Sequence, residues 1–257
     1  MEVVILCGGK GTRLSEETIS KPKPMVEIGG IPILYHIMRY YSYFGFKKFV
    51  LALGYKADYI KNYFYNLRYT SSDFTISLNQ SNPLKFHNLP FDSDWEISLI
   101  DTGLNSLKGS RIKRIEKYIN SDNFLLTYGD GLSNVNINEL IKFHLKNKKL
   151  ATLTAVKPPS RFGEILIKNN LVSEFQEKSQ MHTGYINGGF FVLNKKIMDY
   201  LSESENCDFE FGPLQLLSKE NQLAAFKHND FWQCMDNVRE RDYLENLFNS
   251  KKAPWIL

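Results

Sequence analysis

The sequence predicts an α/β protein built on a mixed, mostly parallel sheet, and three observations carry that prediction. Apolar runs alternate with segments of 3.6-residue period through residues 1–150, the pattern of strands joined by helical crossovers. The first run, Val3-Val4-Ile5-Leu6-Cys7, opens directly into Gly8-Gly9-Lys10-Gly11-Thr12-Arg13-Leu14. Such a loop of small residues at a strand end is where sheets of this kind bind ligands. With 257 residues, 43% of them hydrophobic, the chain can bury a large core, and the absence of repeats or an obvious linker favours one domain.

The elements follow in order. Residues 2–7 form a strand. Residues 31–44 form a helix, with Pro32 in its first turn and Ile33, Leu34, Ile37, Met38 and Tyr41 on one face. A strand at 49–53 is followed by a helix from Tyr55 to Phe64 that groups Tyr59, Ile60, Tyr63 and Phe64. Residues 74–78 alternate as a strand, and 81–94, with Pro83 and Pro90, read as a loop. Then come a strand at 96–100, a helix at 107–118 carrying Leu107, Ile112 and Ile115, a buried strand at 124–127 and a helix at 137–145. The second half is richer in short strands, at 151–156, 163–167, 171–176, 189–193 and 223–226, with Asn169-Asn170 as a hairpin turn. This half is expected to extend the sheet and to add a smaller β-rich wall to the crevice. A helix over 238–249 closes the chain, with Val238, Tyr243, Leu244, Leu247 and Phe248 near one face.

Bulk properties remove several function classes. Lys+Arg number 32 against 28 Asp+Glu, a net charge of +4, which makes no case for nucleic acid or an anionic membrane. Cys7, Cys207 and Cys234 are widely spaced and odd in number, so no disulfide framework is indicated, and Cys7 reads as a small core residue. No signal peptide and no apolar run of about 18 residues is visible, so a cytoplasmic protein is expected. The five histidines show no ligand spacing, His36 and His144 read as helix residues, and no Ser-His-Asp or Cys-His set declares itself.

The candidate chemistry lies in the first 27 residues and at the later strand ends. A buried strand followed by Gly8, Gly9, Gly11 and Arg13 brings backbone N–H groups and a cation to a polyphosphate. Lys21 and Lys23 follow on a segment stiffened by Pro22 and Pro24. The loop is neither a dinucleotide fingerprint, since Leu14 stands where the third glycine belongs, nor a Walker loop. Asp130, between Gly129 and Gly131 after a buried strand, suits either Mg²⁺ or a turn, and Asp236 either a second metal carboxylate or a helix cap. Lys178 at a strand end suits a monoanionic phosphate or a surface turn, and Asn187 suits sugar hydroxyls or a turn.

Taken together, these stretches resemble the glucose-1-phosphate cytidylyltransferases of bacteria, a branch of the sugar nucleotidyltransferase superfamily. The resemblance runs nearly end to end: G-G-x-G-T-R-L-S-E-E-T at 8–18, K-P-K-P-M-V-E-I-G-G at 21–30, G-Y-K at 54–56, D-T-G at 101–103, T-Y-G-D-G at 127–131, R-F-G at 161–163, F-Q-E-K at 175–178, I-N-G-G-F-F-V-L at 186–193, F-W-Q-x-M-D at 231–236 and K-A-P-W at 252–255. It implies a Rossmann-like fold with helices on both faces of the sheet and the reaction CTP plus sugar 1-phosphate to CDP-sugar plus pyrophosphate. Residues 1–150 would mainly hold CTP and 151–257 mainly the sugar phosphate.

Carried over by position, the loop from Leu6 to Arg13, with Lys23, Thr102, Gly103, Ser106, Arg111 and Gly129, would contact CTP. Asp130 and Asp236 would bind Mg²⁺. Tyr128, Gly163, Glu177, Lys178, Tyr185 and Asn187 would face the sugar phosphate, and Arg13, Lys23, Lys178 and the two aspartates would carry the catalysis. The resemblance also implies a homo-oligomer. The chain departs from the family pattern at Ser179–Thr183, Tyr185, Gly212 and Asn237, on the sugar side. Competing readings are a different sugar 1-phosphate, a UTP- or dTTP-using sister enzyme, and a catalytically silent nucleotide sensor. A silent subunit should have lost a metal carboxylate or a phosphate cation, and this chain keeps Arg13, Lys23, Asp130, Lys178 and Asp236.

Overall fold

The structure, a computed structural model, describes residues 1–79, 83–88, 92, 94–158, 164–176 and 184–257. Seven strands form its central sheet: β1 (Val3–Leu6), β2 (Lys48–Leu53), β3 (Glu96–Asp101), β4 (Asn123–Tyr128), β5 (Ala151–Val156), β6 (Ile186–Asn194) and β7 (Leu223–His228). Their spatial order is β7-β5-β6-β4-β1-β2-β3. All run parallel except β6, which is antiparallel to both β4 and β5. The mixed, mostly parallel sheet predicted from the alternation is therefore present.

Strand pleating sorts the core into two layers. Val3 and Ile5 of β1, Phe49, Leu51 and Leu53 of β2, and Phe190 and Val192 of β6 turn to one face. Their neighbours Val4, Leu6, Val50, Ala52, Phe191 and Leu193 turn to the other. On the first face lie α1 (Ile33–Tyr43), α2 (Ala57–Ser71), α4 (Ile137–Asn147) and α5 (Val238–Asn249); on the second lies α3 (Lys108–Arg114). Asn169 and Asn170, both with positive φ, make the predicted tight turn between strands Glu164–Lys168 and Leu171–Gln176.

Several boundaries differ from the sequence reading, each for a local reason. Pro32 stands just outside α1, in a two-residue strand paired with Glu27–Ile28. Helix α2 runs on to Ser71 although Ile60 is its one fully buried residue; its last turns are held by tertiary contact, with Tyr69 against Phe74 and Phe86 and the Arg68 guanidinium over Phe86. Helix α3 stops at Arg114, where Ile115 (ψ 2°) leads into a tighter turn over Glu116–Tyr118. Inside the predicted loop 81–94, Leu84–Phe86 pairs with Phe74–Ile76. Strand β6 begins at Ile186, before the two glycines that had suggested a turn.

The C-terminal segment is fastened to α1. Trp255, almost fully buried, stacks on Phe231 and donates its indole N–H to Nδ1 of His36 at 3.3 Å. His36 in turn donates Nε2–H to the carbonyl of Ile28 at 2.9 Å, which fixes its tautomer. Burial, assisted by Arg39, holds its pKa below the ordinary value of 6.5, against the opposing pull of the Ile28 bond. Burial lowers that of His144 as well. Among the described residues, no helix is long and apolar enough to cross a membrane.

Two outcomes follow for stability. Trp255→Ala removes a buried ring and one donor, and should cost about 3–5 kcal/mol in urea unfolding. Because the folded state prefers neutral His36, stability is intact above 6.5 and is lost as pH falls from there toward the folded pKa. Unfolding free energy measured from pH 7 down to about pH 5 should therefore decline, and decline less steeply in His36→Gln. An unchanged slope in that variant would remove His36 from the account.

Candidate active site

The connections from β1 lead outward to β2 and β3, and the chain then returns to β4 on the other side of β1. The carboxyl ends of β1 and β4 thus flank the point where strand order reverses, which is where a crevice opens. Leu6 pairs with Tyr128 in this register, and the Gly129 N–H donates to the Leu6 carbonyl at 3.2 Å. A Cβ on Gly129 would sit 2.9 Å from that same oxygen and 3.1 Å from Pro24, so the close approach requires glycine. Beyond Asp130, residues Gly131–Ser133 pair with Trp232–Cys234, and the Met235 N–H donates to the Asp130 carbonyl at 2.8 Å. This short pairing delivers Asp236 to the crevice. The cap of α5 is Asn237, whose side chain accepts from the Glu240 N–H, so Asp236 is left for other work.

That work is electrostatic. Lys23 is 7% exposed, and its ammonium donates to Asp130 Oδ2 at 2.7 Å and to Asp236 Oδ1 at 2.6 Å. Arg13 Nη1 donates to Asp236 Oδ2 at 2.7 Å. Burial alone would lower the Lys23 pKa, but the two carboxylates outweigh it and raise it. Burial would raise that of Asp236, but Lys23 and Arg13 outweigh it and hold it below the usual carboxylate range. Two carboxylate oxygens from distant parts of the chain therefore converge on one cation, and a hard oxygen pair of this kind also suits a divalent ion such as Mg²⁺. Cys234, Asp236 and Glu240 also cluster, with ligand atoms within 4.8 Å of one another. There Glu240 accepts the Asp236 N–H at 2.7 Å and donates its own N–H to the Asn237 side chain, so the cluster holds the start of α5.

Arg111 forms the floor. It is 4% exposed, and its guanidinium donates to the carbonyls of Leu53, Gly103, Gly8 and Leu104 and to the Thr102 hydroxyl, at 2.7–3.3 Å. A Cβ on Gly8 or Gly54 would lie 2.2 or 2.4 Å from it. Ser106 donates to the Thr102 carbonyl and accepts from Arg114. The structure thus brings Gly8, Thr102, Gly103, Ser106 and Arg111 together, but spends the polar side chains on protein oxygens. Gly9, Lys10, Thr12 and Arg13 are exposed at the rim, Gly11 turns through positive φ, and Cys7 lies buried with its thiol pKa pushed up by that burial.

On the other side of Asp130, the Tyr128 hydroxyl donates to Glu210 Oε1 at 2.6 Å and accepts from Asn187 Nδ2 at 3.1 Å. Lys108 pairs with the same Glu210 oxygen. Burial, then Glu210, raises the Tyr128 pKa, so the phenol stays protonated. Tyr185 is partly exposed and donates to Asn229. Gly163, Glu177 and Lys178 lie outside the described residues, as do Ser179–Thr183. Sequence reasoning missed Glu210 and Lys108. Their signal was faint: Glu210 stands in Phe209-Glu210-Phe211-Gly212-Pro213, a single charge beside a departure from the family pattern at Gly212.

Comparisons with known proteins give the family. A family model described as nucleotidyl transferase matches residues 2–237. The glucose-1-phosphate cytidylyltransferase of Salmonella typhimurium is 48% identical over 99% of this chain and 98% of its own length. A probable glucose-1-phosphate cytidylyltransferase of Bacillus subtilis is 40% identical over 99% of both. Among solved structures, HddC from Yersinia pseudotuberculosis superposes with a TM-score of 0.68 at 27% identity, covering 96% of this chain and 99% of that one. The chain belongs to the nucleotidyl transferase family and groups within it with the glucose-1-phosphate cytidylyltransferases.

Proposed function

We propose that this chain joins CTP to a sugar 1-phosphate, with α-D-glucose 1-phosphate as the preferred acceptor, releasing CDP-sugar and pyrophosphate. The observation that carries the reading is the convergence of Lys23 and Arg13 with Asp130 and Asp236 at the mouth of the β1–β4 crevice. It is supported by 48% identity to a cytidylyltransferase over 99% of the chain.

In this reading a phosphate oxygen of the sugar attacks the α-phosphorus of CTP. The bond from the α-phosphorus to the oxygen bridging it to the β-phosphate breaks, and pyrophosphate leaves with that oxygen. The attacking oxygen is already ionised at neutral pH, so no general base is required. The barrier lies in bringing two anions together, and positioning and charge compensation are the tasks left to the protein. The exposed loop from Gly9 to Arg13 offers backbone amides and a guanidinium to the triphosphate. Lys23 is a buried ammonium beside it. Asp130 and Asp236 would hold Mg²⁺, which when bound neutralises phosphate charge. Lys178 is assigned to the sugar's phosphate, and Glu177 and Asn187 to its hydroxyls. The Asp101-Thr102-Gly103 stretch stands where uridylyl and thymidylyl relatives carry a different one, which motivates the preference for CTP.

Two measurements test the reading. In a matrix of nucleoside triphosphates against sugar 1-phosphates, scored by pyrophosphate release, CTP with glucose 1-phosphate should give the highest kcat/KM. UTP should be poorer by about 1–3 kcal/mol, because an acceptor set for the cytosine amino group meets a second acceptor instead. Equal kcat/KM for CTP and UTP, or a tenfold better sugar phosphate, would overturn the corresponding half of the assignment. Asp130→Asn should lower kcat by orders of magnitude while the fold persists, and near-native turnover would sink the role given to the carboxylate.

A further inference from the structure

Glu210 is a carboxylate that nothing so far assigns, and it closes a directional chain of hydrogen bonds on the sugar side of the crevice. Its Oε1 is paired with Lys108 and accepts from the Tyr128 hydroxyl at 2.6 Å. Its Oε2 is buried without a hydrogen-bond partner among the described residues. A buried carboxylate oxygen with no donor opposes stability, so the fold does not hold Glu210 in place for its own sake. Its backbone is set by the preceding turn, where Asp208 Oδ1 accepts the N–H groups of both Glu210 and Phe211.

The consequence is polarity. An ionised carboxylate can only accept, so Tyr128 must donate its single proton to Glu210. The phenol oxygen is then left as an acceptor, and Asn187 answers by presenting Nδ2 to it at 3.1 Å. The other end of the amide is fixed as well, because Asn187 Oδ1 accepts the Gly189 N–H at 2.9 Å. Both ends of Asn187 are thereby specified, with one Nδ2–H left over for a ligand. The Lys108 ammonium also lies 5.2 Å from the centre of the Tyr128 ring. Lys108 begins α3, the helix that carries Arg111, so the chain of contacts runs from the nucleotide floor to the sugar wall.

We propose that Glu210 is a positioning residue for the acceptor sugar: by accepting from Tyr128 it leaves the phenol oxygen as the acceptor for Asn187 Nδ2, which together with the Gly189 N–H on Oδ1 holds the amide in place to donate to a sugar hydroxyl. The proposal rests on the reading that Asn187 faces the sugar. Gln at 210 keeps the shape but donates as well as accepts, so the direction of the chain is no longer imposed.

The test is steady-state kinetics of Glu210→Gln, Tyr128→Phe and the double variant, with thermal unfolding as a check on folding. Glu210→Gln should unfold within a few degrees of the wild type, since it keeps the side chain's shape and leaves one oxygen for Tyr128 and Lys108. Its KM for glucose 1-phosphate should rise about tenfold or more while its KM for CTP changes less than about twofold. In the Tyr128→Phe background the same substitution should add nothing, because the relay is already cut. Unchanged kinetics, an equal rise in both KM values, or additive effects in the double variant would overturn the proposal. If the wild type itself prefers a different sugar 1-phosphate, the assigned acceptor is wrong, and the cycle is read on the preferred sugar instead. A Glu210→Asp variant that folds but restores the sugar KM only in part would support the relay, since it keeps the acceptor and shortens its reach. Full loss equal to that of Gln would count against it.

Discussion

The site depends on one buried cation. An ammonium taken out of water is costly unless carboxylates meet it, and Lys23 is met by two, at 2.7 and 2.6 Å. Neither aspartate is near it in sequence, so the contact is a constraint on the whole fold. Asp130 arrives only because β4 lies beside β1, and Gly129 lets the two strand ends close on each other and on Pro24. Asp236 arrives only because Trp232–Cys234 pairs with Gly131–Ser133 and Asn237 takes over the helix cap. The order of strands, a glycine without a side chain and the identity of a cap residue are thus all preconditions of the same charge centre. A centre in which cation and anions balance in the free protein can also exchange partners: phosphate oxygens compete for the ammonium and a divalent ion for the carboxylates.

Arg111 plays the opposite part. Its charge is turned inward and spent on four carbonyls and a hydroxyl, so it holds loops rather than presenting a cation. The loops it ties together are those after β1, β2 and β3, and Gly8 and Gly54 exist as glycines there because the guanidinium occupies the space of a Cβ. A guanidinium suits this task since five donors in a rigid fork can hold several carbonyls at once, which an ammonium on a flexible stem does less well. On the proposed reading the nucleotide loop is then pre-positioned, which reduces the ordering that binding would otherwise require.

Much of this was legible in the sequence, and the limits are physical. Strands β1, β2 and β4 declared themselves because a strand buried on both faces is a continuous apolar run. The loop at 8–13, Lys23, Asp130 and Asp236 were legible because glycine, proline and charge at strand ends are rare enough in combination to mean something. The pairing of Lys23 with both aspartates was not legible, since separations of 107 and 213 residues carry no local signal. Nor was the inward turn of Arg111, because an Arg on a short helix reads as surface until the facing loops are in place. The strands at 131–133 and 232–234 are three residues each, below the length at which alternation can be recognised. Glu210 was not legible because its meaning comes from Tyr128 and Asn187, which lie far off in sequence on β4 and β6.

In the proposed assignment of the nucleotide to one wall of the crevice and the sugar to the other, the two walls are built on different physics, and this bears on where the chain differs from its relatives. The nucleotide side is a matter of net charge: Arg13, Lys23, Asp130 and Asp236 must keep their signs, while small shifts in position are tolerated because Coulomb attraction falls off slowly with distance. The sugar side is a matter of hydrogen-bond direction, in which Glu210, Tyr128 and Asn187 form a line whose donors and acceptors are fixed one by one. Discrimination between sugars that differ by one hydroxyl needs such direction, because a buried donor or acceptor left unpaired by the wrong substrate penalises it strongly. Direction, unlike charge, can be rewritten by a single side chain. The departures from the family pattern at Tyr185 and Gly212 stand two residues from Asn187 and Glu210 in the sequence, and on the proposed reading a substitution there can alter which hydroxyl is read while the charge centre beside Asp130 stays intact.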